Sequence, residues 1–139
     1  MKDGDTVVIA PIDGGLFFTC RLQGIDSPET PKKGRPGQPY GEEAAQALRN
    51  LILGETVTVV TTGAKTYRRE VCRISKAAAD INLEMIRKGY AWAYRQYLRR
   101  PYASEYLAAE REARASKLGL WTESDPTPPW EFRKRLRKR

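Results

Sequence analysis

Residues 21–29 read Arg21-Leu22-Gln23-Gly24-Ile25-Asp26-Ser27-Pro28-Glu29, and this stretch decides both the fold and the place to look for chemistry. Residues 16–25 are apolar and β-branched enough to form a strand. Asp26-Ser27-Pro28 ends it, because proline cannot donate to a ladder and Asp and Ser favour turn geometry. The stretch therefore puts an arginine on a strand and two carboxylates, Asp26 and Glu29, at its broken end, where residues of several strands can share one rim.

Upstream, residues 6–10 read as another strand, joined to the first through the turn chemistry of Ile12-Asp13-Gly14-Gly15, so that the two form a hairpin. Asp3-Gly4-Asp5-Thr6 opens it. Downstream, residues 27–39 carry Pro28, Pro31, Pro36 and Pro39 with Gly34 and Gly37 and form a loop, made basic by Lys32, Lys33 and Arg35. Ala44, Ala45, Leu48, Leu51 and Ile52 recur at helical spacing, which predicts a helix over 40–53 with Gly54 at its C-terminal cap. Residues 55–62 and 70–74 read as strands around a turn over 63–68. Asp80 caps a short helix that stops at Gly89, and an amphipathic helix covers about 102–117. Asp125-Pro126-Thr127-Pro128-Pro129-Trp130 reads as the end of regular structure, which divides the chain into a domain over 1–124 and a Pro-rich segment with a basic tail over 125–139. Short strands with one inserted helix and helices at the end make an α+β domain, and a five-stranded Greek-key barrel of the oligonucleotide-binding kind is a natural form for it.

The chain has 139 residues, enough for one sizeable core, with 25 Lys and Arg against 17 Asp and Glu and no histidine. Lack of histidine excludes Ser-His-Asp and Cys-His nucleophiles and His-ligated zinc, so a general base must be a carboxylate, lysine or tyrosine. Two cysteines cannot fill a four-ligand zinc site, and metal chemistry here runs on hard oxygen ligands. Cys20 and Cys72 each fall on a strand; two buried free thiols is the ordinary reading, and a disulfide needs those strands to be neighbours at a suitable separation. Six of the basic residues fall among the last nine positions, against the single acid Glu131. This tail reads as a solvated charged end or as an arm that attracts a polyanion such as nucleic acid. Tyr90, Trp92, Tyr94 and Tyr97 lie close to Arg95, Arg99 and Arg100; Trp92 is expected to pack the helical end on the barrel, with Tyr94 or Tyr97 at the edge of a groove. No apolar run is long enough for a membrane span.

In order, D-G-D-T at 3–6, R-L-x-G-I-D-S-P-E at 21–29, Q-P-Y-G-x-E-A at 38–44, Y-x-R at 67–69, a helix ending M-x-x-x-G-x-A-W at 85–92, a late G-L-W and P-P-W at 128–130 resemble the staphylococcal nuclease (thermonuclease) family. The resemblance implies a five-stranded oligonucleotide-binding barrel with three helices, acting as a monomer on DNA and RNA, with a preference for single strands. It also implies calcium-dependent hydrolysis of phosphodiester bonds that leaves 3'-phosphate ends. By register, Asp5, Asp26 and the backbone carbonyl of Ser27 take the calcium-ligand positions. Glu29 takes that of the glutamate that orients or deprotonates the attacking water, and Arg21 and Arg69 those of the two phosphate-binding arginines. Tyr67 takes the place of the tyrosine beside the terminal phosphate, with Lys65 and Arg68 as its substrate-side neighbours. The resemblance also implies export, to the periplasm or the outside, with any leader absent from this chain, since Met1-Lys2-Asp3-Gly4-Asp5 sets the motif at the first residues.

These residue types suit the reaction. Phosphodiester hydrolysis needs an oxygen nucleophile and compensation of charge on the phosphate oxygens, which forked guanidiniums and a hard cation provide. One departure stands out: the family segment D-x-Y-G-R is here Lys65-Thr66-Tyr67-Arg68-Arg69, with arginine at the glycine position. Strand alternation puts Arg69 with Val71 and Arg73 on one face and Arg68 with Glu70 and Cys72 on the other, and of the adjacent arginine pair it is the Tyr-x-Arg register of the resemblance that implies Arg69 as the phosphate ligand. Two other readings compete with hydrolysis, an inactive module of this fold that binds nucleic acid or protein, and a basic protein whose tail alone binds phosphate. Three acids in the groove argue against the first, since a pure polyanion binder gains nothing from them.

Overall fold

The computed structural model describes residues 3–66 and 69–138, with Thr66 and Tyr97 as backbone only. The hairpin forms as expected: β1 (Thr6–Ile9) and β2 (Phe18–Leu22) are antiparallel, with Thr6 opposite Arg21. β2 lies parallel to β5 (Arg69–Lys76), Arg21 opposite Val71, while β4 (Thr58–Thr66) and β6 (Ala79–Asp80) pair antiparallel with β5. The chain thus builds a five-stranded sheet, with a separate two-stranded ladder of β3 (Ile25–Asp26) and β7 (Trp92–Ala93), in an α+β arrangement.

Among the strand ends that differ from expectation, two turn on glycine. The strand expected over 16–25 stops at Leu22, because Gly24 takes φ 78° and redirects the chain so that Ile25 and Asp26 pair with Trp92 and Ala93. Gly63, expected in a turn, is absorbed into β4 at a register shift between Thr61 and Lys65, so the strand continues to Thr66.

α1 (Gly41–Ile52) carries Glu42 and Glu43 in its first turn and Arg49 in its last, which suits the helix dipole, and buries Ala44, Ala45, Leu48 and Ile52. α2 (Ile81–Arg87) is capped by Asp80, whose Oδ1 accepts from the Leu83 amide at 3.0 Å. α3 (Ala103–Ala115) packs on α2 and places Tyr106 in the main core beside Leu22, Ile25, Ile74 and Ile86. Buried Asn82 is satisfied on three sides: its Oδ1 accepts from the Ile74 amide and its Nδ2 donates to the carbonyls of Gln23 and Cys72. Among the described residues no helix is long and apolar enough to cross a membrane.

Cys20 and Cys72 are joined by a disulfide, Cα to Cα 5.7 Å, against the reading of two free thiols. The parallel register of β2 on β5, which alternation alone could not supply, brings them together. In the loop-closure picture a bridge of this span, 52 residues, stabilises the fold by about 4 kcal/mol.

The largest departure is at the C-terminus. Residues expected to be irregular form a fourth helix, α4 (Pro129–Arg137). The prolines read as a stop are a start: Pro129 sits in the first turn, where its missing N–H is no loss, Glu131 follows, and Lys134, Arg135 and Arg137 favour the C-terminal end. Trp130 stacks on Tyr94 (ring centroids 5.3 Å, planes 4° apart) and meets the edge of Trp92 at 5.5 Å. Trp92, Ala113, Leu120 and Trp121, with Trp130 packed against them, make a second, smaller core.

Candidate functional site

The break after β2 gathers the acids. Asp5, at the entry of β1, accepts from the Ser27 amide at 2.9 Å and from the Thr6 hydroxyl at 2.9 Å, while its carbonyl accepts from the Leu22 amide. Gly4 allows this approach, because a Cβ there would lie 2.7 Å from Cβ of Ala44 and 3.0 Å from that of Ser27. Asp3, the first acid of D-G-D, is also buried at the cavity and holds the loop through Thr30 and Lys32.

Arg21 bridges the turn: one terminal nitrogen donates to the carbonyls of Leu22 (3.0 Å) and Ile25 (2.9 Å), the other to Asp26 at 3.2 Å, with Asp5 at 3.5 Å. It thus fixes both aspartates as well as carrying charge. Burial works against the Asp5 carboxylate, but Arg21 and the Ser27 and Thr6 bonds bring its pKa below the ordinary value. Asp26 is fully buried, and that burial, with Asp5 beside it, pushes its pKa up to about 6 despite Arg133 and Arg21.

Glu29 is placed by the Q-P-Y-G segment. Gln38 braces its backbone from both sides, the side-chain oxygen accepting from the Glu29 amide (3.1 Å) and the Gln38 amide donating to the Glu29 carbonyl (2.8 Å). Gly41 completes the fit, since a Cβ there would fall 2.1 Å from that carbonyl oxygen.

The supposed tail contributes a residue that sequence reading missed. Arg133, one turn into α4, donates from Nη1 to Asp26 Oδ1 (3.0 Å) and Glu29 Oε1 (2.9 Å) and from Nη2 to Asp26 Oδ2 (2.8 Å). Burial opposes its charge, but the Asp26 and Glu29 contacts raise its pKa above the usual arginine value. The signal was available in Pro128-Pro129-Trp130-Glu131-Phe132-Arg133: a proline-started helix sets residues 130 and 133 on one face, an aromatic anchor beside a cation.

A cavity of about 680 Å³ opens over this rim, lined by Asp5, Arg21, Glu29 and Arg133 together with Lys65, Arg69, Tyr94 and Arg99. Arg69 and Val71 face it while Cys72 and Ile74 are buried in the core, as strand alternation predicts. Lys65 stands largely exposed, 3.8 Å from Glu70. Tyr67 and Arg68, and the side chain of Tyr97, lie outside the described residues.

The donor set is all oxygen, as a hard cation requires. Asp5 and Asp26 are neighbouring like charges, the Ser27 hydroxyl is buried without a hydrogen-bond partner, and a forked cation already lies across Asp26 and Glu29. Among the described residues no three His, Cys, Asp or Glu side chains form a ready cage, so a cation here would complete its shell largely with water. The aspartates fit such a cation.

Comparison with known proteins gives the chain's family. The chain matches the family model described as staphylococcal nuclease homologue over residues 19–123. It is 36% identical over 134 residues to an uncharacterized endonuclease of Escherichia coli O157:H7, covering 96% of this chain and 80% of that protein. The Haemophilus influenzae counterpart is 32% identical, with 96% and 70% covered. The staphylococcal-like nuclease CAN1 of Arabidopsis thaliana is 38% identical over 120 residues, 86% of this chain but 34% of its own length. The chain thus spans about a third of the plant relatives and most of the bacterial ones. With its three rim acids, its facing arginines and this match along most of its length, the chain belongs to the staphylococcal nuclease homologue family.

Proposed function

We propose that this chain hydrolyses phosphodiester bonds of DNA and RNA at the Asp5, Asp26 and Glu29 rim, with calcium, and leaves 3'-phosphate ends. The observation that carries the reading is that Asp5 and Glu29 line one cavity with Arg21 and Arg69, over buried Asp26, which Arg21 binds. Arg69 offers a fixed guanidinium to the phosphate, and Arg21 keeps the aspartates in place. Glu29, held by Gln38, aligns or deprotonates the attacking water. Asp5 and Asp26, with the Ser27 carbonyl, would hold calcium, which supplies charge neutralisation at the phosphate and acidifies water.

Tyr94 and Arg99 at the cavity support a preference for single strands, whose bases are free to stack. The Cys20–Cys72 bridge supports export to an oxidising compartment. The test is digestion of end-labelled single-stranded DNA and RNA with calcium, then with chelator, with end-group analysis of the products. Calcium-dependent cleavage to 3'-phosphates is expected. Binding without cleavage at every calcium concentration would instead mark a nucleic-acid-binding module.

A further inference from the structure

Arg133 does more than neutralise charge, because of which atoms it uses and where it comes from. Its fork takes both oxygens of Asp26 and one of Glu29, the two acids to which the proposed reaction assigns the metal and the water. A divalent cation at Asp26 approaches those same oxygens to about 2.3–2.6 Å, and because Arg21 already binds Oδ1, a cation added beside both guanidiniums would be a third positive group on one buried carboxylate and is strongly repelled. The arginine also comes from a separable element, anchored at its start and free at its end. Buried Pro129 and the Trp130 stack on Tyr94 hold the first turn, and the Gln38 side chain, whose Oε1 accepts from the Glu29 amide, donates through Nε2 to the Thr127 carbonyl at 2.9 Å. Beyond Arg133, Lys134, Arg135, Arg137 and Lys138 are exposed, and Leu136 alone among the described residues there is partly covered.

We infer that α4 is a latch in which the Arg133 guanidinium occupies the carboxylates in place of a divalent cation, so that cation binding requires this arginine to leave. The inference rests on the calcium reading above. Helix docking then reduces apparent cation affinity by the fraction of molecules with the latch open. The latch also keeps buried Asp26 and partly buried Glu29 compensated while no cation is bound.

The experiment is a calorimetric calcium titration of the full chain at pH 8, for the wild type, Arg133→Ala and Lys134→Ala, the last removing an equal charge from an exposed neighbour. Hydrogen exchange across residues 129–137 is followed with and without calcium. Arg133→Ala is expected to bind calcium about 10-fold tighter or more, Lys134→Ala to match the wild type, and wild-type α4 to lose protection on calcium addition. Calcium binding of equal or weaker affinity in Arg133→Ala overturns the latch and leaves the calcium reading standing. No calcium binding by any of the three proteins overturns both.

Discussion

Two arginine–carboxylate clusters flank the sheet, and they are built on opposite principles. At one, Arg73 on β5 meets Asp80 at 2.7 Å and the Tyr106 hydroxyl at 3.0 Å, Tyr106 donates to Asp80 at 2.9 Å, and the guanidinium lies 3.2 Å from the centroid of the Tyr102 ring. One acid balances one base there, and the spare Asp80 oxygen caps α2. At the other, Asp5, Asp26 and Glu29 crowd together, and their compensation comes from Arg21 nearby and from Arg133, about a hundred residues away in sequence. A closed cluster in which each group is satisfied by fixed neighbours serves the fold. An acid-rich cluster beneath a cavity, whose partner sits on a terminal helix, keeps negative charge in reserve for a cation and an incoming phosphate.

The contrast is broken most sharply by Arg69→Ala, expected to lower the cleavage rate about 100- to 1000-fold while leaving the denaturant midpoint nearly unchanged. Comparable rate with a lowered midpoint would move Arg69 into the structural class. Asp80→Ala should do the reverse: a loss of about 3 kcal/mol in chemical denaturation, with cleavage per folded molecule retained, because it strands a part-buried Arg73 and uncaps α2.

A subtler distinction lies in pH. Asp26 holds its proton up to about pH 6 when folded, against an ordinary value of 3.8, so between these values the folded chain binds more protons than the unfolded one. Its contribution to stability is fully present below about pH 4 and is lost as pH rises through about 6. Denaturant midpoints of chelated protein across that range check the sign, and the decline should flatten in Asp26→Asn. The smallest effect is electrostatic: replacing Lys134, Arg135 and Arg137 by alanine should make the salt dependence of single-strand binding shallower, by about 0.7 in slope for each phosphate these side chains neutralise, with cleavage kept.

Much of this was legible in the chain itself. Helical spacing over 40–53, the Asp80 cap and the D-G-D and D-S-P-E acids emerge from local pattern, because each is decided by neighbours in sequence. What escaped was set at long range. The Cys20–Cys72 bridge depends on a parallel register that no local rule specifies. The role of Gln38 and Gly41 in holding Glu29 appears only when α1 is seated against the loop. Arg133 was hidden by reading Pro128-Pro129 as a terminator and the basic run as solvent-facing, when Trp130 had an aromatic seat on Tyr94.

The account stands most directly on Glu29→Gln, with cleavage rate and unfolding free energy measured on one preparation at saturating calcium. The substitution keeps shape and removes the charge that serves the water. The account predicts a rate about 100-fold lower or more and stability changed by less than about 1 kcal/mol, since Glu29 is partly exposed and its backbone stays braced. Undiminished cleavage, or a rate loss matched by unfolding, would contradict it.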